Sequence, residues 1–255
     1  MPTELAGKTA LITGASRGIG KAIAFALAEQ GCHVVLCSRK QQALDEVADQ
    51  IRARHPDVGV LAKAAHVGVA EQARECVDAA MAEFGGVDVL VNNAGTNPYY
   101  GPLVDLDAPR AEKTVQVNQF SVVLWTQLAV KACMAARGGT IVNIASLGGL
   151  VPELGIGYYN ATKAAVIHLT RQLAMELAPA VRVNAIAPGV VRTDLARALW
   201  ENHEERLTAA LPLNRIGEPA DIAGAAVFLV GAQSSWMTGQ TLVVDGGASV
   251  RPMIV

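Results

Sequence analysis

Short apolar runs alternate with helix-patterned stretches along almost the whole chain, and that alternation leaves few folds open. Thr9-Ala10-Leu11-Ile12 is the first run. A helical pattern follows with Ile23 and Leu27 inward, and Gly31 stops it. Residues 33–37 form a second, β-branched run, after which Leu44, Val47, Ala48 and Ile51 recur at helical spacing up to Pro56. The pattern continues with a strand over 58–67, a helix around 76–84, a strand over 87–91 and a long helix over 115–136. Strands over 140–144, 181–186 and 241–244 follow, with a helix over 158–177 and another opening at Pro219. Apolar strands spaced by helices form a parallel sheet covered on both faces. The expectation is an α/β doubly wound parallel sheet of about seven strands. No linker, charge block or repeat divides the chain, so one domain should span 1–255.

Composition closes off other classes. With 51% hydrophobic and 17% charged residues the chain can bury a large core and is not disordered. The net charge of -2, with scattered Lys and Arg, argues against nucleic acid as a partner. Cys32, Cys37, Cys76 and Cys133 match neither a zinc site nor a disulfide framework, so no metal is expected and the thiols should be buried in a reducing compartment. The N-terminus lacks a leader pattern and no run reaches the roughly 18 apolar residues a membrane span needs. A cytoplasmic protein without membrane attachment is expected.

In such a sheet, ligands sit outside the carboxyl ends of the strands. That gathers the Gly-rich turn, residues 92–95, Ser146 and Pro188-Gly189 on one rim. Gly14, Gly18 and Gly20, with Ser16, Arg17 and Ile19 among them, form a G-x-x-x-G-x-G turn between first strand and first helix. This is a variant of the dinucleotide fingerprint, in which backbone amides approach a pyrophosphate at the helix N-terminus. The second strand ends in Ser38-Arg39-Lys40, where a cofactor with a free ribose 2′-hydroxyl would call for an acid; the next one, Asp45, is already in the following helix. Arg39, with Arg17 nearby, suits a 2′-phosphate, which predicts NADP(H) over NAD(H).

Tyr159 and Lys163 stand four residues apart at the head of a helix, on one face. An ammonium close to a phenol favours the phenolate. Lowering a phenol by about three pKa units takes about 4 kcal/mol, within reach of a lysine in a partly dry cleft. The pair is therefore a plausible acid/base device near neutral pH. Tyr158 is adjacent but lacks the four-residue gap to Lys163.

Residues 13–20, residues 92–95, Asn118, Ser146, Tyr159 with Lys163, Pro188-Gly189 with Thr193, and Val243-Val244-Asp245-Gly246-Gly247 together resemble the single-domain branch of the short-chain dehydrogenase/reductase family. Ser146 lies 13 residues before Tyr159, and Asn118 lies 28 before Ser146. The resemblance covers essentially the whole chain and implies a Rossmann-like fold. It implies Tyr159 as general acid toward a carbonyl oxygen, Ser146 as a second donor to that oxygen, and Lys163 as the group that lowers the Tyr159 pKa and holds the nicotinamide ribose. Asn118 would anchor a water in the proton relay, and Thr193 would hold the carboxamide while capping a helix that starts at Asp194. The cofactor would also run past Val67, Asn93, Ala94, Gly95, Pro188, Gly189 and Val191. His66 stands where the family usually has an acid facing adenine; a neutral imidazole can still accept that hydrogen bond.

Several stretches resemble a narrower group, the NADP-dependent carbonyl and retinal reductases of the dehydrogenase/reductase member 4 type: residues 38–42, His66-Val67-Gly68 with Ala70-Glu71, Asn97-Pro98-Tyr99-Tyr100-Gly101, and Ala198-Leu199-Trp200. Animal members end in a peroxisomal tripeptide; here the last residues are Arg251-Pro252-Met253-Ile254-Val255. A substrate pocket walled by residues 97–100, 147–154 and a lid at about 190–215 is mostly apolar and suits a lipophilic ketone or aldehyde. The alternatives are a 3-oxoacyl carrier-protein reductase, for which Arg192, Arg197 and Arg215 are the candidate docking cations, and a non-catalytic NADP-binding regulator. The family also implies a homotetramer. Arg39→Asp should collapse the preference for NADPH over NADH in kcat/KM by at least tenfold, the size of about 1.4 kcal/mol; an unchanged ratio contradicts the cofactor assignment.

Overall fold

The β-branched runs become strands whose limits are set by pairing. A computed structural model describes residues 4–250; the last residues, 251–255, lie outside the described residues. The strands are β1 (Thr9–Thr13), β2 (His33–Ser38), β3 (Val60–Ala64), β4 (Val89–Asn92), β5 (Gly139–Ile144), β6 (Val181–Pro188) and β7 (Thr241–Val244). All pair in parallel, in the order β3-β2-β1-β4-β5-β6-β7. The chain winds outward from β1 through β2 to β3, then crosses back to β4 on the other side of β1. The reversal falls between β1 and β4, and this is where a doubly wound sheet opens its crevice. The third strand is shorter than expected, 60–64 rather than 58–67, because the β2 register pairs only those five residues.

Helices cover both faces: α1 (Gly18–Glu29), α2 (Gln41–Arg54), α3 (Ala70–Phe84), α4 (Ala108–Val115), α5 (Ser121–Ala129), α6 (Ala135–Arg137), α7 (Gly157–Leu177), α8 (Arg197–Trp200), α9 (Glu204–Ala210) and α10 (Pro219–Val230). The expected long helix is a run over 108–137, with π-helical turns at Gln116–Phe120 and Val130–Met134. It begins earlier than the apolar pattern predicts because Asp107 accepts a hydrogen bond from the Arg110 amide at 2.9 Å and Pro109 sits in the first turn. Alternation along β1 sends Ile12 to the face covered by α1, α2 and α10, and Leu11 to the face covered by α3 and α5. Both are fully buried, a burial that stabilises by about 1.5–3 kcal/mol per side chain. The four cysteines are buried and unpaired, as their spacing led us to expect, and burial pushes the Cys32 thiol up to about 12. Among the described residues no helix is long and apolar enough to cross a membrane, and no cluster of three or more His, Cys, Asp or Glu could hold a metal ion.

A buried polar ladder ties the sheet to α7. Asn92 Nδ2 donates to Asn143 Oδ1 at 2.9 Å, and Asn143 Nδ2 donates to Thr170 Oγ1 at 2.9 Å. Asn143 is wholly buried, so removing it leaves the Asn92 amide short of a partner in a dry place. Asn143→Ala should cost about 2–4 kcal/mol of unfolding free energy by urea titration, from lost hydrogen bonds and a cavity; a loss below about 0.5 kcal/mol contradicts that reading.

Candidate active site

The crevice is built around a turn that admits no side chain. Gly14 has φ +68, and a Cβ there would sit 2.8 Å from Asn93 Nδ2 and 3.1 Å from Ala94 Cα. A Cβ on Gly20 would fall 2.5 Å from the Gly14 carbonyl oxygen. The turn is clamped from β4: the Thr13 hydroxyl accepts from the amides of Asn93 at 3.0 Å and Ala94 at 3.1 Å, while Asn93 Nδ2 donates to the carbonyls of Thr13 at 2.8 Å and Gly14 at 3.3 Å. No side chain caps the N-terminus of α1, so its first-turn amides face the crevice ready for an anion.

A cleft of about 530 Å³ runs along this rim. It is lined by Gly14, residues 16–20, Ser38, Arg39, Lys40, His66, Val67, residues 93–95, Ser146, Tyr159, Lys163, Pro188, Gly189, Val191 and Thr193. Of the candidate catalytic and cofactor-binding residues only Asn118 stands behind the wall, and the expected substrate walls, residues 97–100 and 147–154, lie outside this lining. Donor chemistry fits a phosphorylated dinucleotide at one end: Ser38 Oγ is buried without a hydrogen-bond partner, beside the exposed Arg39 and Lys40. At the inner end, Ser146 Oγ accepts from the Gly148 amide at 3.2 Å, and the same hydroxyl meets the Tyr159 phenol. Lys163 is buried and its Nζ donates to the Ile144 carbonyl at 2.7 Å, 5.7 Å from the centre of the Tyr159 ring.

Four expectations need correction. Lysine does not set the acidity of Tyr159: burial pushes the phenol up to about 12, the Ser146 hydrogen bond pulls it partly back, and the Glu153 charge raises it further. Part of the Tyr159 surface stays open to the cleft, yet packing around the phenol outweighs every charge near it. Lys163 is itself lowered to about 8 by burial. Secondly, the expectation for Asn118 was incomplete, because its side chain also serves the fold. Its Oδ1 accepts from the Thr96 amide at 2.8 Å, and its Nδ2 donates to the Thr96 carbonyl at 2.9 Å and to Thr162 Oγ1 at 3.1 Å, so it holds the 93–96 loop to α7. Thirdly, both His66 ring nitrogens are already engaged: Nδ1 accepts from the Gly68 amide at 3.1 Å, and Nε2 lies 2.7 Å from Lys113 Nζ. Burial, Lys113 and Arg39 together lower the His66 pKa, and neither ring nitrogen is open to accept from adenine. Lastly, the helix after Thr193 starts at Arg197, not Asp194; Thr193 Oγ1 accepts from the Ala196 amide at 3.3 Å and caps the turn that precedes it.

The structure also brings Lys113 and Asp194 into the cleft wall, neither of which stood out in the sequence. Lys113 lies five residues before Asn118 on the 108–137 run, a spacing that carries no signal until the run is laid along the crevice.

A doubly wound sheet with a dinucleotide-shaped cleft ending at a serine, a tyrosine and a buried lysine defines a nicotinamide-dependent oxidoreductase. Comparison with known proteins gives its family. A family model described as enoyl-(acyl carrier protein) reductase matches residues 14–249. Rabbit (Oryctolagus cuniculus) dehydrogenase/reductase SDR family member 4 is 40% identical over 250 residues, 97% of this chain and 95% of the relative. A short-chain type dehydrogenase/reductase from Mycobacterium marinum superposes with a TM-score of 0.91 at 37% identity, covering 97% of each chain. An actinorhodin polyketide ketoreductase variant solved with NADPH gives a TM-score of 0.91 at 32% identity over 98% of this chain and 100% of that one. The chain belongs to the short-chain dehydrogenase/reductase family.

Because Asn118 joins the cofactor loop to the helix of Tyr159, Asn118→Ala should lower the unfolding free energy by about 2–3 kcal/mol. Tyr159→Phe should change it by less than about 1 kcal/mol, since the phenol gives up one hydrogen bond, with the Ser146 hydroxyl, at a site that opens on the cleft. Equal melting temperatures for Asn118→Ala and wild type would contradict the clamp.

Proposed function

We propose that the protein reduces a ketone or aldehyde of a lipophilic small molecule with NADPH, and reversibly oxidises the matching alcohol, with Tyr159 as the general acid/base. One observation carries the reading: Ser146, Tyr159 and Lys163 converge at one end of the same cleft whose other end gathers Arg17, Arg39, Lys40 and the unpartnered Ser38 hydroxyl. The bound nicotinamide would supply the hydride. The chain's own residues do the rest. Ser146, its oxygen engaged with the Gly148 amide, turns its proton toward the substrate oxygen and stabilises the charge that develops there. Tyr159 delivers its proton to the same oxygen. Lys163, fixed by the Ile144 carbonyl, has two further protons for the ribose hydroxyls. Arg17, Arg39 and Lys40 would hold the 2′-phosphate, Ser38 would give its hydroxyl a partner there, and Thr193 would hold the carboxamide. The similarity to a ketoreductase solved with NADPH supports the same cofactor.

The substrate walls support an apolar carbonyl compound. The Gly101 amide donates to the Gly155 carbonyl at 2.9 Å and joins the 97–105 wall to the 147–157 wall. Tyr100, Leu103, Leu150, Val151 and Leu154 are exposed along them. Carrier-protein docking finds less support. Arg192 is paired with Glu204 and Glu218, Arg197 with Asp194 and Arg215 with Asp221, so an acidic partner would first have to displace those carboxylates. A bare binding role leaves the Ser146–Tyr159–Lys163 group without a use. We further read the protein as a cytoplasmic homotetramer, an association supported by Phe120, Met175 and Trp236, which stand exposed outside the cleft.

NADPH oxidation against aryl ketones, α-diketones, retinal and an acetoacetyl thioester tests the substrate class. Turnover confined to the thioester would favour the carrier-protein reading, and none at all would favour the binding role. Tyr159→Phe should lose at least about 100-fold in kcat, the usual worth of a general acid, while Tyr158→Phe retains most of it; the reverse would overturn the assignment. Direction has a pH signature. Reduction uses the protonated phenol, and a Tyr159 pKa raised above its ordinary value keeps that form dominant at neutral pH. Reduction should therefore hold level across pH 6–8 and fall only on the alkaline side, while alcohol oxidation, which needs the phenolate, should climb with pH by about tenfold per unit. A reduction rate that falls from pH 6 to 8 would contradict this.

A further inference from the structure

Arg17 and Asp194 meet across the cofactor cleft. Arg17 belongs to the Gly-rich turn ahead of α1, Asp194 to the segment after β6, and both line the cleft. Arg17 Nη1 lies 2.9 Å from Asp194 Oδ2. The other carboxylate oxygen, Oδ1, takes Arg197 Nη2 at 2.5 Å. The two guanidiniums hold the Asp194 carboxyl below its usual range, Arg197 more than Arg17.

The segment that Asp194 closes is anchored elsewhere. Arg192 is pinned by Glu204 and Glu218 and lies over the Trp200 ring at 5.0 Å, and Trp200 Nε1 donates to the Thr193 carbonyl at 3.3 Å. Beyond those anchors, the Arg17–Asp194 pair is a charged tie between the segment and the opposite wall. It is exposed on both sides, 67% and 43%, so it is weak enough to be exchanged for a better anion.

We propose that Asp194 is a selectivity residue acting through Arg17: the 2′-phosphate of NADP(H) takes Arg17 from Asp194, which unties the 193–200 segment, whereas a cofactor without that phosphate leaves the tie closed. This rests on the NADP(H) reading above. A phosphate carries up to two negative charges against one on the carboxylate and accepts a guanidinium in the same paired manner. The exchange leaves no carboxylate stranded, because Asp194 keeps Arg197. Asp194 thus discriminates in two ways. It competes for Arg17 and so weakens binding of the phosphorylated cofactor, and it reports which cofactor is present through the state of the segment above the substrate.

Hydrogen–deuterium exchange of peptides spanning 190–200, with cofactor Kd values from tryptophan fluorescence, tests this in wild type and Asp194→Asn. In wild type, amides over 193–200 should exchange faster with NADPH bound than with NADH bound. In Asp194→Asn that difference should vanish, the NADPH Kd should fall by roughly two- to fivefold, the range an exposed ion pair spans, and the NADH Kd should stay the same. Wild-type protein that prefers NADPH yet exchanges equally with both cofactors, or an NADPH Kd unmoved by Asp194→Asn, overturns the tie while leaving the cofactor reading standing. Equal wild-type Kd values for NADPH and NADH overturn the cofactor reading and the tie with it.

Discussion

The rim depends on one chain of hydrogen bonds that starts where β1 and β4 end side by side. Thr13 and Asn93 bind each other's backbones and clamp the Gly-rich turn. The loop after Asn93 reaches Thr96, whose amide and carbonyl are both taken by the Asn118 side chain. Asn118 also donates to Thr162, and the Thr162 hydroxyl donates to the Tyr159 carbonyl at 2.7 Å. The Gly-rich turn and the Tyr159 end of the cleft are thus one hydrogen-bonded unit. Each buried link would cost about 1–3 kcal/mol to break, because a partner would be stranded away from water. The glycines follow from this clamp: a Cβ at Gly14 would collide with the Asn93 amide that holds the turn.

Electrostatics at the inner end are decided by burial. Tyr159 rises to about 12 and Lys163 falls to about 8, each moved toward its neutral form. A lysine whose Nζ is turned to the Ile144 carbonyl does not overcome the desolvation of the phenol. The protein alone therefore presents a protonated tyrosine, the form that gives a proton to an oxygen gaining charge.

Most of the sheet was legible because four to eight mostly apolar residues, with Val, Ile or Thr among them, between glycines or helices have little else to become. The long helix was legible only in its apolar part. Residues 108–113 follow no apolar stripe and are helical because Asp107 and Pro109 start them, and an inserted π turn at Gln116–Phe120 has no sequence mark. Residues that share the cleft wall, such as Gly14, Ser146 and Tyr159, were readable through motif and spacing. Residues that act by facing another side chain were not. Lys113 beside His66, Asp194 beside Arg17, and the pairing of Arg192 with Glu204 and Glu218 all arise from chain reversals that no local window contains. Tyr159 acidity was misjudged for the same reason, since spacing predicts which groups are near and says nothing of how dry the place is.

In the proposed reaction this cleft brings a reduced nicotinamide and a carbonyl carbon together beneath the Tyr159 hydroxyl. Reduction of an aryl ketone with NADPH deuterated on the transferring face of its ring, followed by mass spectrometry of the alcohol, tests it most directly. One deuterium on the carbinol carbon is the predicted result. An alcohol free of label from either face of the ring, or no alcohol from any carbonyl compound offered, would contradict it.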